Sequence, residues 1–500
     1  MEQEIELKLL VTEKAKGFIQ SSLLQSLTLT GEPHHFHLFN QYFDTPGKDL
    51  RGHDIGLRVR CREGQYEQTI KTAGKIIGGL HQRPEYNVPL DGDTPDLEAF
   101  PAEVWPADVS VSRLQASLTP LFSTDFTRHC YDIAWSEDCV IEMVLDEGVI
   151  RSGSHTLPIC EIELELKKGD PSALFELAEK IVQGTPCQLG QLSKAARGYM
   201  LAADQLLRAR PLPAFLSVRP QDTCETGFCR GLEGALAHWQ HHEQVYLQSG
   251  KVTDLDGVVE GMRVALQALT LYLPSLQCEP LLSLHKALMA QVSHWHWLEQ
   301  AVHLKLLRSR KGPYRKRLGK NDELVAFLRG CSDSLLNRHH PQQLLMQPRY
   351  VSVQLALVKL LVTRPWRQAS ENWHSTLIEH AKGWLSQGWH NVLQSMPFSQ
   401  SLTAQDYVYQ QSALRQTLYN GFLLGNLFDE ENRDRFRAPW LDLLDGIAEL
   451  KVLLFLQEKL SHADLANKSE LLLWSNEQIH ALLAVMEKSR NVAMDVDAYW

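Results

Sequence analysis

The chain has 500 residues, 44% of them hydrophobic and 22% charged, with a formal net charge of −10. That is an ordinary globular balance, enough for two to four domains at roughly 100–200 residues each. An acidic whole excludes a nucleic-acid coat, so an anion site must be a local gathering of Lys and Arg.

The nine cysteines are odd in number and contain no CxxC pair, which excludes a zinc site or a disulfide framework and leaves reduced thiols as the expectation. The start Met1-Glu2-Gln3-Glu4 is acidic, with no apolar run behind it, and so is not a signal peptide. No stretch approaches the ~18 apolar residues of a membrane span. A soluble cytoplasmic protein with no nucleic-acid and no membrane partner is expected.

Up to about residue 205 the pattern alternates with period two. Residues 2–11, 55–62, 65–72, 81–89, 138–146 and 157–168 read as strands, separated by Gly, Pro or Asp. Gly78-Gly79 fits a hairpin turn rather than a phosphate loop, because it lacks the GxxxxGK[ST] setting. Helical patterns are fewer, at 12–27, 171–185 and 194–207. Many short alternating strands point to a closed or nearly closed antiparallel sheet.

A Pro-rich linker is expected over 206–220, where Arg210-Pro211-Leu212-Pro213 leads to Arg219-Pro220. Beyond it, from 221 to 500, the period becomes 3.6, as over 257–274, 280–308, 350–363, 371–395, 405–428, 438–461 and 476–490. That texture predicts an all-α bundle. His241-His242 and His339-His340 are adjacent pairs whose rings point apart on a helix, so a structural or solvated role is expected. His294 and His296, set among Trp295 and Trp297, fit interhelical packing.

Successive side chains of a strand point to opposite faces. Glu4, Glu6 and Lys8 therefore share a face, as do Arg58 with Arg60, Glu67 with Lys71, Arg83 with Glu85, Glu142 with Asp146, and Glu161 with Glu163 and Glu165. Ile5, Leu7, Leu57, Val59, Ile141, Met143, Ile162 and Leu164 take the other faces, and Cys61 joins them as a packing residue. Two barrels satisfy this pattern: one with charges outside and an oily interior, the other with charges lining a lumen. Like charges side by side repel. They make sense where basic strands hold a polyanion, arginine gripping two phosphate oxygens through its planar fork. Acidic strands would then hold a hard divalent ion such as Mg²⁺ or Mn²⁺.

The ordered segments Glu4-x-Glu6-x-Lys8, YFDTP (Tyr42 to Pro46), LRVR (Leu57 to Arg60), TIK (Thr69 to Lys71), EIELEL (Glu161 to Leu166) and Ser193-Lys194 resemble the CYTH superfamily, the triphosphate tunnel metalloenzymes. The resemblance covers about residues 1–205. It implies an α+β N-terminal domain, an eight-stranded antiparallel tunnel with inward charges, followed by the all-α domain at 221–500. It implies Mg²⁺ or Mn²⁺ on Glu4, Glu6, Asp146, Glu163 and Glu165, and triphosphate on Lys8, Arg58, Arg60, Lys71, Arg83, Arg128 and Lys194, with Glu4, Glu6 and Lys8 catalytic. Glu85, Glu142 and Glu161 are further members, Glu161 because the register of the late acidic strand is open by two residues.

The activity implied is metal-dependent hydrolysis of inorganic triphosphate to pyrophosphate and phosphate. The same tunnel also serves class IV adenylate cyclases and thiamine triphosphatases. A polyphosphate-binding protein without turnover is the alternative of another class, disfavoured because carboxylates with no cation repel one another.

The layout resembles bacterial inorganic triphosphatases that end in a CHAD domain, a histidine-containing helical domain that binds polyphosphate in its family. Residues 255–275 and 412–460 carry that likeness. Glu260 stands where a histidine is expected, and Gln267 where a base is. Arg263 and Arg415 remain, and Gly421-Phe422 replace an expected Arg-Tyr. Polyphosphate on this tail is a weak expectation. The basic run Lys305 to Lys320 reads first as a solvated helix end and loop.

Overall fold

The computed structural model describes residues 2–397 and 400–500. The chain forms two compact units. One is built by the chain up to Arg208 together with Gln342–Thr363, the other by Ala209–Pro341 and Arg364–Trp500.

The first unit is a closed antiparallel barrel. Its strands are β1 (Glu2–Val11), β2 (His34–Asp44), β3 (Gly56–Arg62), β4 (Gln65–Lys71), β5 (Lys75–Ile77), β6 (Leu80–Leu90), β7 (Thr119–Ser136), β8 (Cys139–Ser152), β9 (His155–Lys168) and β10 (Cys187–Leu189). Eight of them run in the order β1-β9-β8-β7-β2-β3-β4-β6, and β6 pairs with β1 to close the ring. The short β5 and β10 hang on β6 and β1. Gly78 and Gly79 make the β5–β6 turn with φ of 53° and 100°, a left-handed pair that glycine adopts without strain. Closure removes the edges of the eight-stranded ring and forces one face of each of its strands inward.

That inward face is the charged one. Leu7, Leu9, Ile141, Met143, Ile162 and Leu164 are fully buried on the outer face, while Lys8, Asp146, Glu161 and Glu163 are buried on the other. The helix Ser172–Gly184 covers part of the outside with Leu174, Leu177 and Ile181. Leu50, Ile55, Leu57, Ile70, Leu97 and Phe100 form a second external cluster. Of the two barrels that alternation allows, this is the charge-lined one.

The helix Pro348–Thr363 belongs to this unit although it lies far along the chain. It packs on Ser172–Gly184 and on β10. Ser352 Oγ donates to Glu179 Oε1 at 2.8 Å, and Lys359 pairs with Glu176 at 3.7 Å. The expected single helical domain over 221–500 thus lends one helix to the barrel's unit.

The second unit is all-helical. Expected segments appear as Leu255–Tyr272, Leu377–Ser395, Ala404–Leu424, Glu430–His462 and Lys468–Met494. The stretch 280–308 is two helices, Glu279–His294 and Trp297–Leu307, parted at Trp295-His296. Trp295 is buried there and its ring stacks on Trp297, which in turn stacks on His339. Cys224–Ser249 and Asp322–His339 are further helices. The Pro-rich segment is packed rather than free: Val218 is 1% exposed, Leu216 N–H donates to Phe422 O at 2.9 Å, and Phe215 lies under Arg433 and Arg437. All nine cysteines are free thiols. Among the described residues no helix is long and apolar enough to cross a membrane.

Candidate active site

The barrel gathers the sequence-singled residues from seven strands and one helix. β1 supplies Glu4, Glu6 and Lys8; β3 supplies Arg58 and Arg60; β4 supplies Lys71; β6 supplies Arg83 and Glu85. β7 supplies Arg128; β8 supplies Glu142 and Asp146; β9 supplies Glu161, Glu163 and Glu165. Lys194 opens the helix Lys194–Ala202, which Ser193 caps by accepting from Ala196 N–H. All of these line one cavity of about 370 Å³ except Asp146 and Glu161, which lie behind its wall with no exposed surface.

At one end, four cations interlock with three carboxylates. Lys8 Nζ donates to Glu163 Oε1 at 2.5 Å and to Glu161 Oε1 at 3.2 Å. Lys194 donates to Glu163 at 2.9 Å and also to Glu161, and sits 2.6 Å from Asp146. Arg128 grips both oxygens of Asp146 at 2.8 and 2.7 Å and reaches Glu163 Oε2 at 2.8 Å. Arg197 closes the set on Glu161. Burial opposes charging of Lys8, but Glu161, Glu163 and Glu6 outweigh it and hold the ammonium firmly protonated. Burial likewise opposes ionisation of Glu161, yet Lys194, Lys8 and Arg197 pull its carboxyl down to about 2.

At the other end the carboxylates outnumber their partners. Glu6 faces Glu165 across β1 and β9, and Glu165 faces Glu142 across β9 and β8. Like charges directly opposite one another are destabilising. Lys167 bridges Glu142 and Glu165 at 3.3 and 2.8 Å, but from a side chain that is 41% exposed. Lys71 is shared between Glu4 at 2.5 Å and Glu85 at 3.0 Å. Glu6 has Lys8 at 3.8 Å as its ion partner among the described residues. Burial raises the Glu4 carboxyl to about 7, with Glu6 and Glu85 adding to it and Lys71 opposing. Burial raises Glu165 also.

The opposite wall is crowded with guanidinium. Burial lowers Arg60 to about 9, helped by the charges of Arg58 and Arg128. Its Nε donates to Asn40 Oδ1 at 2.9 Å, and Asn40 in turn donates to Thr124 at 2.8 Å. Arg58 reaches Glu85 at 3.4 Å, and Tyr42 and Glu85 hold its guanidinium charged against burial. The cavity thus holds an arginine wall short of anions beside a carboxylate row short of cations.

Two carboxylate sets have the hard-oxygen chemistry that Mg²⁺ or Mn²⁺ takes. Asp146, Glu161 and Glu163 offer oxygens within 4.8 Å of one another, but lysine and arginine engage all three. Glu4, Glu6 and Glu165, with Glu142 alongside, are the set whose charge is least compensated. The structure places Asp146, one of the five carboxylates expected to hold metal, against Arg128 and Lys194.

Several contributors had no role assigned from the sequence, although Asp44 lies in one of the segments singled out there. Asp44 of the YFDTP segment is fully buried and accepts from the N–H groups of Thr45, Leu50 and Arg51 at 2.7, 2.9 and 3.0 Å, and from Tyr199 Oη at 3.0 Å. It pins the loop after β2 to the helix that begins with Lys194. Arg197 was legible in principle, because it stands three residues after Lys194 and so shares its helix face. His81 sits opposite Glu6, donates Nε2–H to Gly190 O at 2.9 Å, and is lowered to about 4 by burial and then by Lys8, so it is neutral.

Comparison with known proteins agrees with this geometry. Residues 2–199, the barrel, match the family model of the CYTH domain. An inorganic triphosphatase of Haemophilus influenzae is 36% identical over 207 residues, which cover 41% of this chain and 57% of that protein. The chain thus spans little more than half the length of that relative. Among solved structures, a candidate adenylyl cyclase of Hippeastrum with a dominant triphosphatase activity is 21% identical, covers 41% of this chain and 97% of its own, and superposes with a TM-score of 0.31. A CHAD domain from the plant Ricinus communis is 16% identical, covers 59% of this chain and 98% of its own, and has a TM-score of 0.47.

Proposed function

We propose that the CYTH domain at residues 2–199 hydrolyses inorganic triphosphate to pyrophosphate and phosphate with a divalent metal ion. The observation that carries this reading is the pair of under-compensated poles in one cavity: Arg60, lowered to about 9 beside Arg58 and Arg128, and Glu6, which faces Glu165 across β1 and β9 next to Glu4, itself raised to about 7 although Lys71 pairs with it. A linear polyanion relieves the first pole and a divalent cation the second. Bound together, they neutralise one another's surplus.

In this reading Arg58, Arg60, Arg83 and Arg128 bind the phosphate chain, arginine matching phosphate oxygens in bidentate fashion. Lys8 and Lys194 are fixed by Glu161 and Glu163 and present ammonium groups to the phosphate at that end; Lys71 serves the other wall. Glu4, Glu6 and Glu165, with Glu142 beside them, hold Mg²⁺ or Mn²⁺, and Glu163 of the other set stands on the same face of β9 as Glu165. When bound, the ion withdraws charge from the terminal phosphoryl group and makes its water more acidic. Catalysis is otherwise positioning and charge stabilisation around an in-line displacement. The relative named inorganic triphosphatase supports the substrate.

Phosphate release from triphosphate, ATP, thiamine triphosphate, pyrophosphate and long-chain polyphosphate, each with Mg²⁺, Mn²⁺ or EDTA, tests it. Fast, EDTA-sensitive cleavage of triphosphate with slow action on the others is expected. A preference for either organic triphosphate overturns the substrate, and silence on all five overturns the enzyme.

A further inference from the structure

The helical unit holds a cavity of about 580 Å³ enclosed by the helices Leu255–Tyr272, Trp297–Leu307, Ala404–Leu424 and Glu430–His462. Its volume is in the range of small-molecule sites. Two arginines from different helices, Arg263 and Arg415, meet in it beside Tyr419, and neither forms an ion pair among the described residues. Burial lowers Arg263 and the neighbouring Arg415 charge lowers it further, with Tyr419, Asp256 and Glu299 opposing from within the same cavity.

The rest of the lining has the opposite sign. Asp256, Asp445 and Glu449 line the cavity without a cationic partner within ion-pair distance among the described residues. Glu260 and Glu299 also line it, but His238 at 3.0 Å engages the first and Lys451 the second. Asp256 is raised by burial and opposed by the nearby Arg263 and Arg415, and Asp445 is raised by burial and by Asp442.

A third feature is independent of the charges. His303 and Gln411 are 8% and 6% exposed, both line the cavity, and each leaves a buried nitrogen without a hydrogen-bond partner, Nδ1 of the histidine and Nε2 of the glutamine. Buried polar atoms are rarely left unmet, and each such atom costs on the order of 1–3 kcal/mol. Burial lowers His303, with Lys451 adding to it, so the imidazole is neutral and available.

The positions that departed from a basic surface have become packing. Gln267 donates to Asn420 Oδ1 at 2.7 Å between two helices, and Gly421 lies against Arg437. A long polyanion would meet five carboxylates around two arginines. We infer that this cavity binds a small amphoteric molecule, one carboxylate or phosphate group seated on Arg263, Arg415 and Tyr419 and an ammonium group held by Asp256, Asp445 and Glu449.

Calorimetric titration of the full chain tests this with four probes: phosphoethanolamine, lysine, inorganic phosphate and long-chain polyphosphate. Phosphoethanolamine or lysine is expected to bind most tightly, and which of the two wins identifies the anionic head. Arg263→Gln should weaken that binding by about tenfold or more, the loss of a charge-assisted hydrogen bond. Asp445→Asn, an exposed change that leaves the fold alone, should weaken it about threefold. Arg60→Gln in the barrel should leave it unchanged. Failure of both amphoteric probes to bind overturns the inference. So does tighter binding of phosphate or polyphosphate that Arg263→Gln removes, or amphoteric binding that only Arg60→Gln removes.

Discussion

Glu6 and Glu165 face each other across two strands with little cationic help. Neutralising either removes a donor for the cation while leaving the barrel's hydrogen bonds in place. Glu6→Gln and Glu165→Gln should each lower metal-dependent kcat by about 100-fold, since a metal that polarises a phosphoryl oxygen is worth several kcal/mol. Steady-state phosphate release at saturating Mg²⁺ measures this. Glu161 is a different kind of residue. It touches Lys8, Lys194 and Arg197 behind the cavity wall, and its carboxyl lies near 2 instead of the usual 4.5. A depressed acid contributes stability above its unfolded pKa and loses it as pH falls through the folded one. The melting-temperature advantage of the parent over Glu161→Gln should therefore be full above pH 4.5 and shrink toward pH 2, which a series of thermal melts will read.

At the scale of elements, the strand alternation was legible, but two of the eight barrel strands, and the short β5 and β10, were not. β2 reads HHFHLFNQYFD and β7 runs through Arg128 with polar and apolar residues on both faces, so neither stands out by period two alone. Both walls of this barrel are buried, one by ion pairs and one by packing, and a strand buried on both faces need not look half-polar. The helix Lys194–Ala202 is held on the barrel by two fine contacts. A Cβ on Gly198 would meet the Phe122 ring at 2.0 Å, so Gly198→Ala should cost about 1–3 kcal/mol and raise KM by displacing Lys194. Asp44→Ala would strand three N–H groups and the Tyr199 hydroxyl, costing about 4 kcal/mol or more at about 1 kcal/mol per unmet group. Denaturant unfolding of the two variants checks both figures.

At the scale of the molecule, the division at residue 205 expected from the change of period omits a piece. Gln342–Thr363 belongs to the barrel's compact unit and covers the helix Ser172–Gly184. A chain ending at Arg208 should therefore melt at least about 5 °C below one in which that helix is supplied in cis through a short linker, the shift that ~2 kcal/mol produces in a domain of this size. Equal melting temperatures would show the helix to be dispensable to the barrel.

The sequence by itself determined which residue types stand on which face. Alternation is a local property, and Glu4, Glu6, Lys8, Arg58, Arg60, Lys71 and the β9 glutamates could be placed on shared faces from their spacing alone. The period change after residue 205 likewise announced an all-helical remainder. Pairing across strands is not local. Only the closed ring decided that Glu6 opposes Glu165 while Asp146 and Glu161 are spent on Lys8, Arg128, Lys194 and Arg197. Whether a carboxylate is free for a cation depends on the cations brought beside it in space, and those come from two strands and a helix that lie from 18 to 155 residues away along the chain.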